Sequence, residues 1–166
     1  MALCAEGQTV SSSLTSHELL TQVLLAVFRV NGRLLQKGDE MVAPLGLTSA
    51  RWQILGALAL ANEARTAPEI GGAMGITRQA AQKQLNLLLG EGLVDLQPNP
   101  RHQRSPLYIL TAAGDTLFSK AMTLNTAWTK RLVASMSKSD VGVALDVLDQ
   151  LHERLGGAVP QEKELK

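Results

Sequence analysis

The sequence predicts a mainly α-helical fold with a small β-hairpin: a winged helix-turn-helix flanked by N- and C-terminal dimerisation helices. Three observations carry this. Two short helical patterns, each opened by a threonine, meet at a tight turn around Gly75. Two strand-like segments follow at once and enclose the basic turn Asn99-Pro100-Arg101-His102-Gln103-Arg104. Longer amphipathic segments lie at both ends of the chain.

The first helix starts at a capping box, with Thr15 as N-cap and Glu18 three residues on. Leu14 and Leu19 are spaced to clamp that cap from either side. The pattern runs to about Gln36, with Gly38 as its expected stop. Leu20, Leu24, Val27 and Leu34 mark one apolar stripe, and Leu19, Val23, Ala26 and Val30 mark the next. A face this wide has room for the chain's own core and for a partner. Pro44 and Gly46 then break the chain. Thr48 caps a second helix over 49–61, with Trp52, Leu55, Leu58 and Ala59 expected inside.

Thr66-Ala67-Pro68-Glu69 is another capping box, with proline where backbone donors are unpaired anyway. Ile70, Ala73 and Met74 are expected to point inward from the short helix that follows. Thr77 caps the next helix, which runs to about Gly90. Its apolar positions are Ala80, Ala81, Leu85, Leu88 and Leu89. Strands are expected over 93–97 and 106–110. Thr111 opens a long helix to about Ser135, and a last helix covers about 139–155. The expected organisation is a flexible tail (1–13), a first dimerisation helix (14–40), the winged module (41–111), C-terminal dimerisation helices (112–156) and a second tail (157–166).

Composition limits the function classes. The hydrophobic fraction is 45% and the charged fraction 19%, which argues for a packed core and against disorder. Net charge is only +1, so overall charge does not point to nucleic acid. Between Arg65 and Thr111 there are five basic and three acidic residues, a mild local excess. One cysteine, Cys4, allows no internal disulfide, and the sequence around it shows no electropositive setting of the kind a reactive thiol needs. The N-terminus has no charged-then-apolar leader pattern, and no apolar run is long enough to span a membrane. The expectation is a cytoplasmic protein. His17, His102 and His152 have no metal-ligand spacing, so neither metal nor cofactor is expected. No nucleophile–base arrangement or phosphate loop suggests an enzyme.

The chemistry lies in the helix that Thr77 opens. Arg78 and Gln82 are four residues apart, as are Gln79 and Lys83, so the four share an outward arc. A major groove about 12 Å wide admits one α-helix, and Arg and Gln can contact guanine and adenine edges in two-pronged fashion. Thr77 and the helix N-terminus offer a hydroxyl and backbone N–H groups to a phosphate. The bland alternative is a merely solvated helix face. The wing weighs against it: Arg101 and Arg104 sit at the tip of the hairpin, where a structural turn needs no arginine but a minor groove or phosphate would.

In these residues the sequence resembles the MarR family of regulators. The resemblance rests on Leu47-Thr48-Ser49-Ala50-Arg51-Trp52-Gln53-Ile54-Leu55, on Ile76-Thr77-Arg78-Gln79 through Leu85 to Gly92-Leu93-Val94, on Asn99-Pro100 with Arg104, and on Leu110-Thr111-Ala112-Ala113-Gly114. It implies a homodimer with interdigitated terminal helices. It implies binding of double-stranded DNA at a pseudo-palindromic operator, and often a small-molecule effector that weakens it. The sequence departs from the family at His102, which stands where an Asp usually steadies the wing arginine. The effector cleft implied by the resemblance has Phe28, Arg29, Trp52 and Trp128 as candidates, with core packing as the alternative for each. The alternative function is a winged-helix protein-interaction module without DNA binding, favoured by the low net charge.

Overall fold

A computed structural model describes residues 14–156. The expected tails, and Cys4 with them, lie outside the described residues. The elements run in the order α1 (Ser16–Val42), a single 3-10 turn (Ala43–Leu45), α2 (Ser49–Ala61), α3 (Ala67–Ala73), α4 (Arg78–Gly90), β1 (Val94–Gln97), β2 (Leu107–Leu110), α5 (Ala112–Val133) and α6 (Lys138–Arg154). This is a winged helix-turn-helix between long terminal helices, as the sequence predicts.

The first helix differs in its end point. It runs through Gly38 to Val42. Gly38 is buried, and a Cβ built there would lie 2.7 Å from the Ser49 hydroxyl. The glycine is present so that α1 can approach the start of α2, and it does not end the helix. The chain turns instead at Ala43–Leu45, with Pro44 in its first turn and Gly46 left-handed at φ 71°.

The core lies under α2, α4 and the sheet. Ile54, Leu55, Ile70, Leu85, Leu88 and Val94 are buried almost completely. Ala73 and Ala80, expected inside, are exposed. The small side chain of Ala80 sits on the outward edge of α4, and Ala81 takes the inner position. Between α3 and α4, Gly75 takes φ 63°, a left-handed turn residue that glycine adopts without strain. This geometry reverses the chain within four residues, Met74 to Thr77.

The sheet is a two-stranded antiparallel hairpin with Val94 opposite Leu110 and Gln97 opposite Leu107. A third segment extends it: Arg65 and Tyr108 exchange backbone hydrogen bonds of 3.1 and 2.8 Å. The Thr111 hydroxyl donates to the Gly92 carbonyl at 2.8 Å and accepts from the Gly114 N–H at 3.0 Å, which fixes the start of α5 to the base of the hairpin.

The two terminal helices differ from the rest. Along α1 only Gly38 and Val42 are buried, and α6 has no buried residue. No other described element packs extensively on α6. Leu20, Leu24, Val27, Leu34, Leu145 and Leu148 are all exposed, so the apolar stripes read from the sequence lie open along both helices. No described helix is long and apolar enough to cross a membrane.

Candidate nucleic-acid interface

The interface is built from three short-range devices. At the start of α3, the Thr66 backbone N–H and hydroxyl both donate to the Glu69 carboxylate, each at 2.7 Å. These bonds hold the Glu69 carboxyl below its ordinary value, with the Arg65 and Arg101 charges as smaller causes, against a modest opposing effect of burial. The Arg101 charge is the smallest of these causes. At the start of α4, the Thr77 hydroxyl accepts from the Ala80 N–H at 3.1 Å.

The third device is Asn99. Its side-chain amide donates to the Ser105 carbonyl at 2.8 Å, and its carbonyl oxygen accepts from the Arg101 N–H at 3.0 Å. Turns from Asn99 to His102 and from His102 to Ser105 complete the loop. The wing tip is thus ordered by its own hydrogen bonds, and Arg101, His102, Gln103 and Arg104 all face solvent. Asn99 braces the loop, with His102 exposed at its tip.

The expected site residues divide into two groups. Thr77, Arg78, Gln79, Lys83, Arg101 and Arg104 are exposed, and none of the four cations is in an ion pair among the described residues. Gln82 is different. It is half-buried, and its amide nitrogen donates to the Tyr108 hydroxyl at 2.7 Å and to the Asn86 side chain at 2.9 Å. It faces the hairpin as well as the outer arc.

Arg78 and Arg104 meet across a cleft of about 480 Å³, which Thr66, Pro68, Asn99, His102 and Ser105 complete. The N-terminal end of α4 forms one wall and the wing the other. Two guanidinium groups on facing walls suit a phosphate-bearing ligand. Arg51 and Arg65 serve the scaffold instead: Arg51 pairs with Glu91 and donates to the Gly46 carbonyl, and Arg65 pairs with Glu63 at 2.6 Å. The pairing of Arg51 across forty positions gives no local signal in the sequence.

A second cleft, about 260 Å³, lies between α1 and α5. Arg29, Arg33 and Lys37 line it with Val30, Leu34, Trp128 and Leu132. Of the four residues considered for an effector cleft, Arg29 and Trp128 are here. Phe28 is 74% exposed, and Trp52 packs on the core, with its indole N–H buried and unpartnered among the described residues. No group of three or more His, Cys, Asp or Glu among the described residues is placed to hold a metal ion.

Comparison with known proteins agrees with this architecture. Residues 45–105, from the end of the 3-10 turn to the wing, match the model of the MarR family. An uncharacterised protein of Mycobacterium tuberculosis, Rv2011c, is 37% identical over 95 residues, which cover 57% of this chain and 65% of that protein. The match thus spans somewhat under two thirds of that relative's length. Among solved structures, the MarR family transcription regulator SP03579 superposes with a TM-score of 0.71 at 23% identity, over 84% of this chain and 92% of that one. The transcriptional repressor CouR, solved on a 23-mer DNA duplex, gives a TM-score of 0.69 at 28% identity, over 84% and 98% of the two chains. CouR from Rhodococcus jostii has also been solved with p-coumaroyl-CoA, at a TM-score of 0.70 and 21% identity over 86% and 95%. Residues 45–105 match the MarR family model, and the described chain has the winged-helix fold of the MarR-family structures it superposes on.

Proposed function

We propose that this protein is a dimeric, sequence-specific DNA-binding transcriptional regulator of the cytoplasm, a repressor released by a small-molecule effector. The observation that carries the reading is the pairing of Arg78 at the N-terminal end of α4 with Arg104 on the wing across one open cleft. Thr77, Arg78, Gln79, Gln82 and Lys83 form the groove face, with Gln82 on its side toward the hairpin, and Arg101 and Arg104 reach the flanking backbone or minor groove. The duplex-bound CouR, at 28% identity over most of both chains, supports the same use of the module.

The open apolar faces of α1 and α6 support a second copy of this chain as partner. α6 lacks substantial packing within its own chain, yet carries Val141, Val143, Leu145 and Leu148 exposed. Burying that surface against an identical one is favourable and self-complementary. A two-fold dimer would set two α4 helices about 34 Å apart, one helical turn of DNA, at a pseudo-palindromic operator. The effector reading rests on the α1–α5 cleft. Three cations over an apolar floor suit an anion with an apolar body, and the ligand-bound CouR is a precedent in the fold.

The test is fluorescence anisotropy with labelled DNA from upstream of the protein's own gene, across a salt series. The expected result is saturable binding that outcompetes unrelated duplex and weakens steeply with salt. No binding at low salt would overturn the reading in favour of a protein-interaction module.

A further inference from the structure

We infer that Gln82 is a positioning residue, which ties the recognition helix to the wing through Tyr108 and so sets the spacing of Arg78 and Arg104. The inference rests on the DNA-binding reading above and changes the role of one residue within it.

Tyr108 stands where three segments meet. Its backbone pairs with Arg65 ahead of α3, its register partner on β1 is Leu96, and its hydroxyl accepts from Gln82 on α4. The residue is only 3% exposed, so its hydroxyl depends on the protein for a partner. Gln82 supplies it at 2.7 Å and spends its second N–H on Asn86 at 2.9 Å. A primary amide has two N–H donors, and both are engaged. Two-pronged contact with adenine needs one of them free. The bond to Asn86 is exposed and cheap to exchange, whereas giving up the part-buried bond would strand a buried phenol, so it is the Tyr108 bond that holds Gln82 in place.

The geometry gives the tie a use. Gln82 lies one helical turn beyond Arg78, and Tyr108 lies four residues beyond Arg104. The hydrogen bond therefore joins α4, which carries Arg78, to β2, the strand that follows Arg104, behind the residues that line the cleft. Holding the two elements together in this way restrains the angle between helix and wing. Both arginines can then meet a duplex without a prior rearrangement.

The test uses the full-length protein with Gln82→Met, Tyr108→Phe and the double variant, each confirmed folded by circular dichroism. Operator dissociation constants are measured on the wild-type operator and on a set with single base-pair changes. The expected result is an equal loss of about 3- to 10-fold for either variant. The double variant should be no worse than a single one, and the ranking of the altered operators should be unchanged. If Gln82→Met flattens the preference at one operator position while Tyr108→Phe binds normally, Gln82 is a base reader and the inference fails. A DNA-free measurement separates this from failure of the DNA reading itself. Amide exchange at Leu107–Leu110 should quicken in both variants, and unchanged exchange would overturn the tie whether or not any form binds DNA. The protein's single tyrosine also gives an unambiguous ring-carbon NMR signal, which should shift in Gln82→Met and stay put if the tie is absent.

Discussion

Asp39, near the end of α1, accepts a 2.6 Å hydrogen bond from the backbone N–H of Ser49, the first residue of α2. The first N–H groups of a helix have no partner within it. Thr48 satisfies one of them, that of Arg51, and Asp39 satisfies another from a different helix. The carboxylate also faces the positive end of the α2 dipole. The bond joins the long first helix to the winged module directly. Asp39→Ala is expected to lower stability by about 1–2 kcal/mol, the usual cost of a lost cap with some charge assistance. Urea unfolding at matched protein concentration measures it, and a variant within about 0.3 kcal/mol of wild type would remove Asp39 from this role.

Acid should act on α3 through Glu69. The Thr66 backbone N–H is the first cause of its lowered value and the Thr66 hydroxyl the second, with Arg65 and Arg101 assisting. In the unfolded chain the group returns to its ordinary 4.5, so below that pH the unfolded state takes up the proton first. The contribution is therefore fully present above pH 4.5 and is lost as pH falls through the lower folded-state value. The carboxylate is exposed, which keeps the effect below about 1 kcal/mol. Glu69→Gln preserves the capping shape without the charge. Its melting temperature should lie below wild type at pH 7, with the gap closing under pH 4.5. A gap that stays constant on acidification would show that the charge of Glu69 does not stabilise the cap.

What could be read from the sequence was local. Thr15, Thr48, Thr66, Thr77 and Thr111 were each legible as helix starts, because a cap acts within three residues of itself. The wing was legible from its turn residues and the strand-like segments on either side of them. Gly38 misled for the same reason. Nothing nearby in sequence distinguishes a helix-ending glycine from one pressed against Ser49, eleven positions on. Gln82 follows the same rule: helical spacing places it on an arc with Arg78, and only the fold brings in Tyr108, 26 residues away. The bridge between Arg65 and Tyr108 was also hidden, since a one-residue pairing has no periodicity to detect.

The two arginines of the cleft should fail differently. Arg78 projects from the first turn of α4, the part of a recognition helix that reaches base edges. Arg104 sits on the wing, against the sugar-phosphate backbone in the proposed complex. Arg78→Ala is expected to cost about 1–3 kcal/mol on the operator and to flatten preference at one base pair. Arg104→Ala should weaken all duplexes about equally and reduce the salt slope by about one. Titrations of each variant against operator and scrambled duplex at several salt concentrations distinguish these patterns. Equal losses on every sequence for both variants would show that Arg78 reads no base.

The proposed dimer gives the most exposed prediction, because it concerns the part of the chain with least packing of its own. A single protomer leaves Leu145 and Leu148 of α6 in water, along with the α1 stripe of Leu20, Leu24 and Val27. These side chains are about half exposed, so each has roughly half of the 1.5–3 kcal/mol of full burial left to contribute, and the stripes of both helices together are needed to outweigh the cost of association. A charge placed in the buried face has no partner there and must be desolvated. Leu148→Glu is therefore expected to raise the dimer dissociation constant by at least about 100-fold. The winged module should be unaffected, because its core of Ile54, Leu55, Leu85 and Leu88 lies apart from α6. Light scattering at micromolar concentration should give a dimer for wild type and a monomer for the variant, with wild-type helical content retained. The same variant should lose operator affinity far more than affinity for a half-site, since a monomer presents only one α4 to the duplex. A wild-type protein that is monomeric under these conditions would sink both the dimer and the two-groove geometry built on it.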